Sequence, residues 1–243
     1  MSITYNYKRV YVWEIPVRLF HWLTVLAMIA LIITGFIIAD PPAINENVEP
    51  SQSFKFGIVR FIHFTSGFVL VANFLFRVYW SFVGNRFAKW TNFIPFTKAG
   101  IKNIIHVLKV DILLLKDKEH KLSNISIGHN MMASFSYFMM TIVFLIQLST
   151  GFALMSQTSD FWFTEFFSWV LPLLGGDITV RYIHHFLTWI FLAFILVHVY
   201  LVFFHDYVEA RGETSSMLSG YKFVRAERIS KGEVNIEEEI EEE

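Results

Sequence analysis

The chain has no cysteine. That absence excludes disulfides, thiolate zinc sites, cysteine-bound iron–sulfur clusters and covalent attachment of a c-type haem. Charge is scarce as well. Asp, Glu, Lys and Arg supply 17% of the 243 residues, against roughly a quarter in an ordinary soluble domain. In their place stand apolar residues, at 54% of the chain, with 27 phenylalanines among them. A soluble globule, a disordered chain and a nucleic-acid binder all fit this balance poorly. The apolar side chains need a solvent other than water, and lipid is the simplest.

Four runs are long enough to cross a bilayer, which takes about 20 mostly apolar residues. They lie at roughly 17–38, 56–83, 131–156 and 178–205. Pro16 suits a first helical turn, and Pro41 and Pro42 follow the end of the first run. That run is too long for a cleaved signal peptide, and no small-x-small site follows it. Two weaker segments complete the pattern. Residues 101–118 are interrupted by Lys102, Lys109 and Asp111 and read as a surface amphipathic helix. Residues 161–175, rich in Trp and Phe, are too short to span and read as a short periplasmic interfacial helix. The expected fold is an all-α integral membrane four-helix bundle, a single domain over 1–210. A cytoplasmic acidic tail over 211–243, ending EVNIEEEIEEE, is expected to be disordered.

Basic residues give the direction. Three lie in residues 1–20 (Lys8, Arg9, Arg18), eight in loop 84–127 and five in tail 206–243. Loop 39–55 has one, Lys55, against Asp40, Glu46 and Glu49, and loop 157–177 has none. This alternation puts both termini on the cytoplasmic side.

Five of the nine histidines fall in the spans: His21, His63, His184, His185 and His198. A lone imidazole in a spanning helix is often just hydrogen-bonded to a neighbour, but a set matched in depth and phase points to function. His184 and His198 are 14 residues apart, about 40° short of four turns, so they share a face roughly 21 Å apart along the axis. His185 points about 100° away from His184 and is the weaker candidate. With the direction fixed, His21 and His198 lie at cytoplasmic depth, and His63 and His184 at outer depth. Two opposed pairs make two bis-histidine sites, each suited to one haem b whose iron has no open position and only transfers electrons. Zinc would want four close ligands, and no carboxylate or cysteine stands near either pair.

Arg18, Arg60 and Arg181 each precede a histidine by three residues, in RLFH, RFIH and RYIH. This spacing puts Arg and His on one helix face, with the guanidinium toward the interface, where it can pair with haem propionates or simply snorkel. Gly35 and Gly67 sit at depths where a missing side chain would let a macrocycle approach, or where helices simply pack closely. His129 and Asn130 stand at the entrance to the third run. They could supply hydrogen bonds and protons to a quinone head, or cap the helix.

These residues lie in segments that resemble the b-type cytochrome subunits of membrane-bound nickel–iron hydrogenases. The likeness covers most of residues 8–210. It is sharpest in VWEIPVRLFHW, in RFIHFTSGFVLVANFLFRVYWSFVGN, in the Gly-His-Asn segment and in RYIHHFLTW. More broadly, the chain is similar to b561-type di-haem four-helix cytochromes. The resemblance implies haem ligands at His21, His63, His184 and His198, paired His21–His198 and His63–His184. It also implies hydrogenase small and large subunits on the periplasmic face, quinone (menaquinone or another) reduced near His129 and Asn130, and residence in the cytoplasmic (inner) membrane. The chain itself would activate no hydrogen. The four-histidine frame also suits the cytochrome subunit of a formate dehydrogenase or thiosulfate reductase. A haem-free membrane anchor or transporter is the reading from another class.

Overall fold

The computed structural model describes residues 7–41, 54–93, 131–209 and 212–225. Seven α-helices are present among them: α1 (Ile15–Ala39), α2 (Lys55–Val83), α3 (Met131–Ser156), α4 (Trp162–Glu165), α5 (Val170–Leu173), α6 (Asp177–Glu209) and α7 (Glu213–Ser219). Each of the four expected spans is contained in one long helix, and α1, α2, α3 and α6 are long and apolar enough to cross a membrane. In such helices every internal backbone group is satisfied within the segment, as lipid requires. Their outward stripes are apolar. On α1, Leu19, Trp22, Leu26, Ile29 and Ile33 are exposed at helical spacing, and on α6 so are Tyr182, Phe186, Trp189, Leu196 and Tyr200. Apolar surface of this extent belongs in lipid. The chain is a multi-pass membrane protein.

The fold is all-α except for one small sheet. Strand β1 (Tyr7–Tyr11) pairs antiparallel with β2 (Tyr221–Arg225), Tyr7 opposite Arg225 and Tyr11 opposite Tyr221. Together α7 and β2 occupy 213–225, inside the stretch that the sequence assigned to a disordered tail. Two buried anchors hold this segment. Lys222 is buried and paired with Glu213 at 2.6 Å, and its ammonium lies 5.3 Å from the centre of the Trp13 ring. Gly220 ends α7 at φ +92, and a Cβ there would meet the Tyr11 ring at 2.7 Å. The expected helix over 101–118 and the tail beyond 225 lie outside the described residues.

The interfacial helix expected over 161–175 is two single turns, α4 and α5, rather than one rod. Between them the amides of Phe167, Ser168, Val170 and Leu171 bond three residues back, so the segment tightens and turns. Phe161, Phe163 and Phe167 cluster with Phe152 and Phe68, which a straight helix could not do from one face.

The chain forms two compact units. The first comprises residues 20–76 and 141–196. Here α1 meets α2 through Asn73, whose amide donates to the Phe20 carbonyl at 3.0 Å and the Thr24 hydroxyl at 2.9 Å. Helix α2 meets α3 through the Phe68–Phe152 and Phe74–Phe144 ring pairs. Helix α3 meets α6 at Gln147 and Thr150, and α6 returns to α1 through His185 and Trp189 against Phe36. The ring order α1–α2–α3–α6 sets α2 and α6 on a diagonal.

The second unit holds residues 1–19, 77–140 and 197–243. In it Glu14, just before α1, ties down the end of α2. One carboxylate oxygen accepts from Trp80 Nε1 and from the Asn85 backbone N–H, both at 2.9 Å. Asn85 in turn donates to the Val12 carbonyl and accepts from the Phe87 and Ala88 amides. Arg77 closes the turn with two bonds to the Ala88 carbonyl. Val10, Val12, Trp13, Val17, Phe87 and Ala88 form the buried cluster beneath.

Candidate functional site

In the first unit, two histidines on diagonal helices are held in the same way. Thr34 on α1 places its hydroxyl 2.9 Å from His63 Nδ1, and Thr150 on α3 places its hydroxyl 3.0 Å from His184 Nδ1. Each threonine also donates to its own helix, Thr34 to the Ala30 carbonyl at 2.6 Å and Thr150 to the Ile146 carbonyl at 2.8 Å. A hydroxyl has one proton. Two oxygens that close need it between them, so toward the imidazole each threonine accepts. Both Nδ1 atoms therefore carry the ring proton, and both Nε2 atoms keep a bare lone pair.

A glycine follows each threonine. A Cβ on Gly35 would lie 3.4 Å from His63 Cε1, and one on Gly151 would lie 3.0 Å from His184 Cε1. The missing side chain at Gly35 thus seats an imidazole, whereas the sequence suggested room for a macrocycle or helix packing. A Cβ at Gly67 would meet nothing within 4 Å. The next residues, Phe36 and Phe152, pack on the opposite neighbours, α6 and α2. Thr-Gly-Phe thus occurs twice, at 34–36 and 150–152, and does the same work each time.

Gln147 lies one turn before Gly151. Its Nε2 is 3.3 Å from His184 Nε2 and 3.5 Å from the Thr188 hydroxyl, while its buried Oε1 has no hydrogen-bond partner among the described residues. An orphaned acceptor beside a bare imidazole nitrogen marks a place built for something further. Among the described residues no three His, Cys, Asp or Glu side chains cluster. The donor set is thus single nitrogens on facing helices, which suits an axially ligated macrocycle rather than a bare metal ion.

The other expected residues divide. His21, half-buried in the first unit, sits edge-on to Trp22 with ring centres 5.3 Å apart. His198, half-buried in the second, has the Tyr137 ring at 6.5 Å. His185 is engaged elsewhere: its Nε2 accepts from Trp189 Nε1 at 3.4 Å, and its ring abuts Phe36. Arg18 donates from Nη1 to the Leu218 carbonyl at the end of α7, and its Nε is buried without a hydrogen-bond partner among the described residues. Arg60 is exposed. Arg181 is exposed too, 3.6 Å from Asp177 and 3.4 Å from Gln157. His129 and Asn130 lie outside the described residues. Sequence reasoning missed Thr34, Thr150, Gln147, Gly151 and Asn73, although the repeated Thr-Gly-Phe was there to be seen.

Long apolar helices bearing two imidazoles, each supported at Nδ1 by a threonine of a neighbouring helix, suit a membrane cytochrome of the helical-bundle class. Residues 12–220 match the family described as prokaryotic cytochrome b561, and the chain belongs to that family. Among curated relatives, a "Probable Ni/Fe-hydrogenase B-type cytochrome subunit" of Azotobacter vinelandii is 35% identical over 90% of both chains. One from Cupriavidus necator is 34% identical over 88% of this chain and 87% of its own. A "Probable Ni/Fe-hydrogenase 1 B-type cytochrome subunit" of Escherichia coli K12 is 33% identical over 92% and 94%.

Proposed function

We propose that this cytochrome b subunit carries electrons from a periplasmic Ni/Fe-hydrogenase to the quinone pool through two bis-histidine haems b. The observation that carries the reading is the matched preparation of His63 and His184 on diagonal helices, each with Nδ1 spent on a threonine and Nε2 left unprotonated, that of His184 facing the Gln147 amide at 3.3 Å. These two would hold one haem. His21 and His198 would hold the other, on the depth argument from the sequence. A bound haem supplies reversible one-electron acceptance with no vacant iron position. The chain itself orients the ligands, shields them in lipid-spanning helices and offers arginines near the helix ends. Arg60 and Arg181, exposed three residues before their histidines, suit propionates. His129 and Asn130 would serve the quinone head and its protons on the cytoplasmic side. The relatives' names support membership of a Ni/Fe-hydrogenase complex, whose small and large subunits would dock on the periplasmic face, and the alternation of basic loops supports an inner-membrane protein with both termini cytoplasmic.

A reduced-minus-oxidised spectrum with a haem-to-protein ratio tests this directly. The expected result is two b-type haems per purified chain. A chain free of haem would sink the reading in favour of an anchor.

The glycines give a graded check. Gly151→Ala puts a Cβ at 3.0 Å from the His184 ring, so the imidazole must give by a few tenths of an ångström; Gly35→Ala, at 3.4 Å, reaches only the edge of ordinary contact. Haem affinity should fall about 10–100-fold for Gly151→Ala, the range for disturbed ligand support, and clearly less for Gly35→Ala. Haem titration of the stripped chain measures both.

A further inference from the structure

The histidines at the 63–184 site are not merely present; each rests on a three-member relay. In one, the Ala30 carbonyl accepts from the Thr34 hydroxyl at 2.6 Å, which accepts from His63 Nδ1 at 2.9 Å. In the other, the Ile146 carbonyl accepts from the Thr150 hydroxyl at 2.8 Å, which accepts from His184 Nδ1 at 3.0 Å. Both threonines are buried, Thr34 to 6% exposure and Thr150 fully, so water does not compete for either hydroxyl. The two threonines lie on α1 and α3, while the histidines lie on α2 and α6. Each ligand is therefore oriented by the neighbouring helix rather than by its own.

We propose that Thr34 and Thr150 are a matched pair of positioning residues that fix the tautomer of His63 and His184 and lower the reduction potential of the haem they hold. The claim rests on the ligand assignment above. The physical cause is charge. A hydroxyl that accepts from Nδ1–H pushes electron density toward Nε2, and it is itself polarised by the helix carbonyl behind it. A more basic imidazole stabilises the ferric ion more than the ferrous one. Acting through both histidines, the matched pair would push from each ligand of the haem they hold. His185, whose Nε2 is engaged by Trp189, has no such relay among the described residues.

The test uses the full chain with its haems, purified in detergent. Thr34→Val and Thr150→Val keep the volume and remove the hydroxyl, and Thr34→Ser and Thr150→Ser restore it. Each is read by potentiometric titration, by the low-spin ferric electron paramagnetic resonance signal and by haem content. The valine variants should shift the oxidised-to-reduced ratio of one haem about tenfold toward reduced at a fixed ambient potential. For a one-electron couple that is about 59 mV. The ferric signal should change with it, the other haem should stay put, and serine should recover most of the effect. Loss of one haem in valine but not serine variants supports the assignment equally. Unchanged potential and signal in the valine variants overturn it. So does equal loss in valine and serine variants, because packing rather than the hydroxyl would then be responsible. If His63→Ala retains both haems, the ligand reading itself has failed, which is a separate result from a failure of the threonines.

Discussion

His184→Ala should bring haem down from about two per chain to about one, and His63→Ala should do the same. On the proposed assignment each would take one ligand from a single haem and leave the other site untouched. His185→Ala, one residue away, should keep both haems. Its ring points off the His184 face, packs on Phe36 and already accepts a bond from Trp189. The contrast between adjacent histidines matters because a general loss of folding would lower haem in all three. A pyridine haemochrome assay per mole of chain reads the outcome. The expected cost is large because nothing nearby can substitute. Gln147 approaches His184 Nε2, but an amide is a weak ligand, and Thr150 would keep a hydroxyl with no imidazole to accept from. Equal haem loss in His185→Ala would move the ligand to that position and dismantle the relay argument.

Glu14→Ala should be the most damaging substitution outside the ligand set. One carboxylate oxygen serves the Trp80 indole and the Asn85 amide, and Asn85 organises the turn after α2. Removing the acceptor leaves two donors unsatisfied at about 1–3 kcal/mol each where they are buried. With partial solvent access the expected loss is about 2–4 kcal/mol. Glu14→Gln retains an acceptor oxygen and should lose less than half of that. Thermal unfolding of the purified chain, followed by circular dichroism, orders the three proteins. A midpoint for Glu14→Ala within a degree of the parent would show that the bonds contribute little.

The four spans were legible because lipid imposes a crude rule on length and polarity, and each helix runs within a few residues of what that rule predicts. That His184 and His198 would lie on one span was legible because the apolar run is continuous, and α6 is unbroken across both. The support of the ligands was harder to see. A threonine in a spanning helix ordinarily bonds its own carbonyl four residues back, as Thr24 does. Only neighbouring helices reveal that Thr34 and Thr150 also receive an imidazole proton. The sheet was illegible for another reason. YKRVY and YKFVR pair across more than 200 residues, with no turn between them to announce a hairpin. The aromatic segment over 161–175 misled through composition, since its Trp and Phe content indicates interfacial depth but says nothing of where the backbone turns.

The pairing of β1 with β2 also sets a timetable. A ribosome that has delivered all four spans to the bilayer still withholds the strand that β1 needs. Until Tyr221–Arg225 emerge, the first strand waits with its edge unpaired, and the buried seat under Trp13 stays without Lys222. The terminal clasp can therefore close only after the last span has been synthesised, and a chain released before Tyr221 would carry its helices but leave the clasp open.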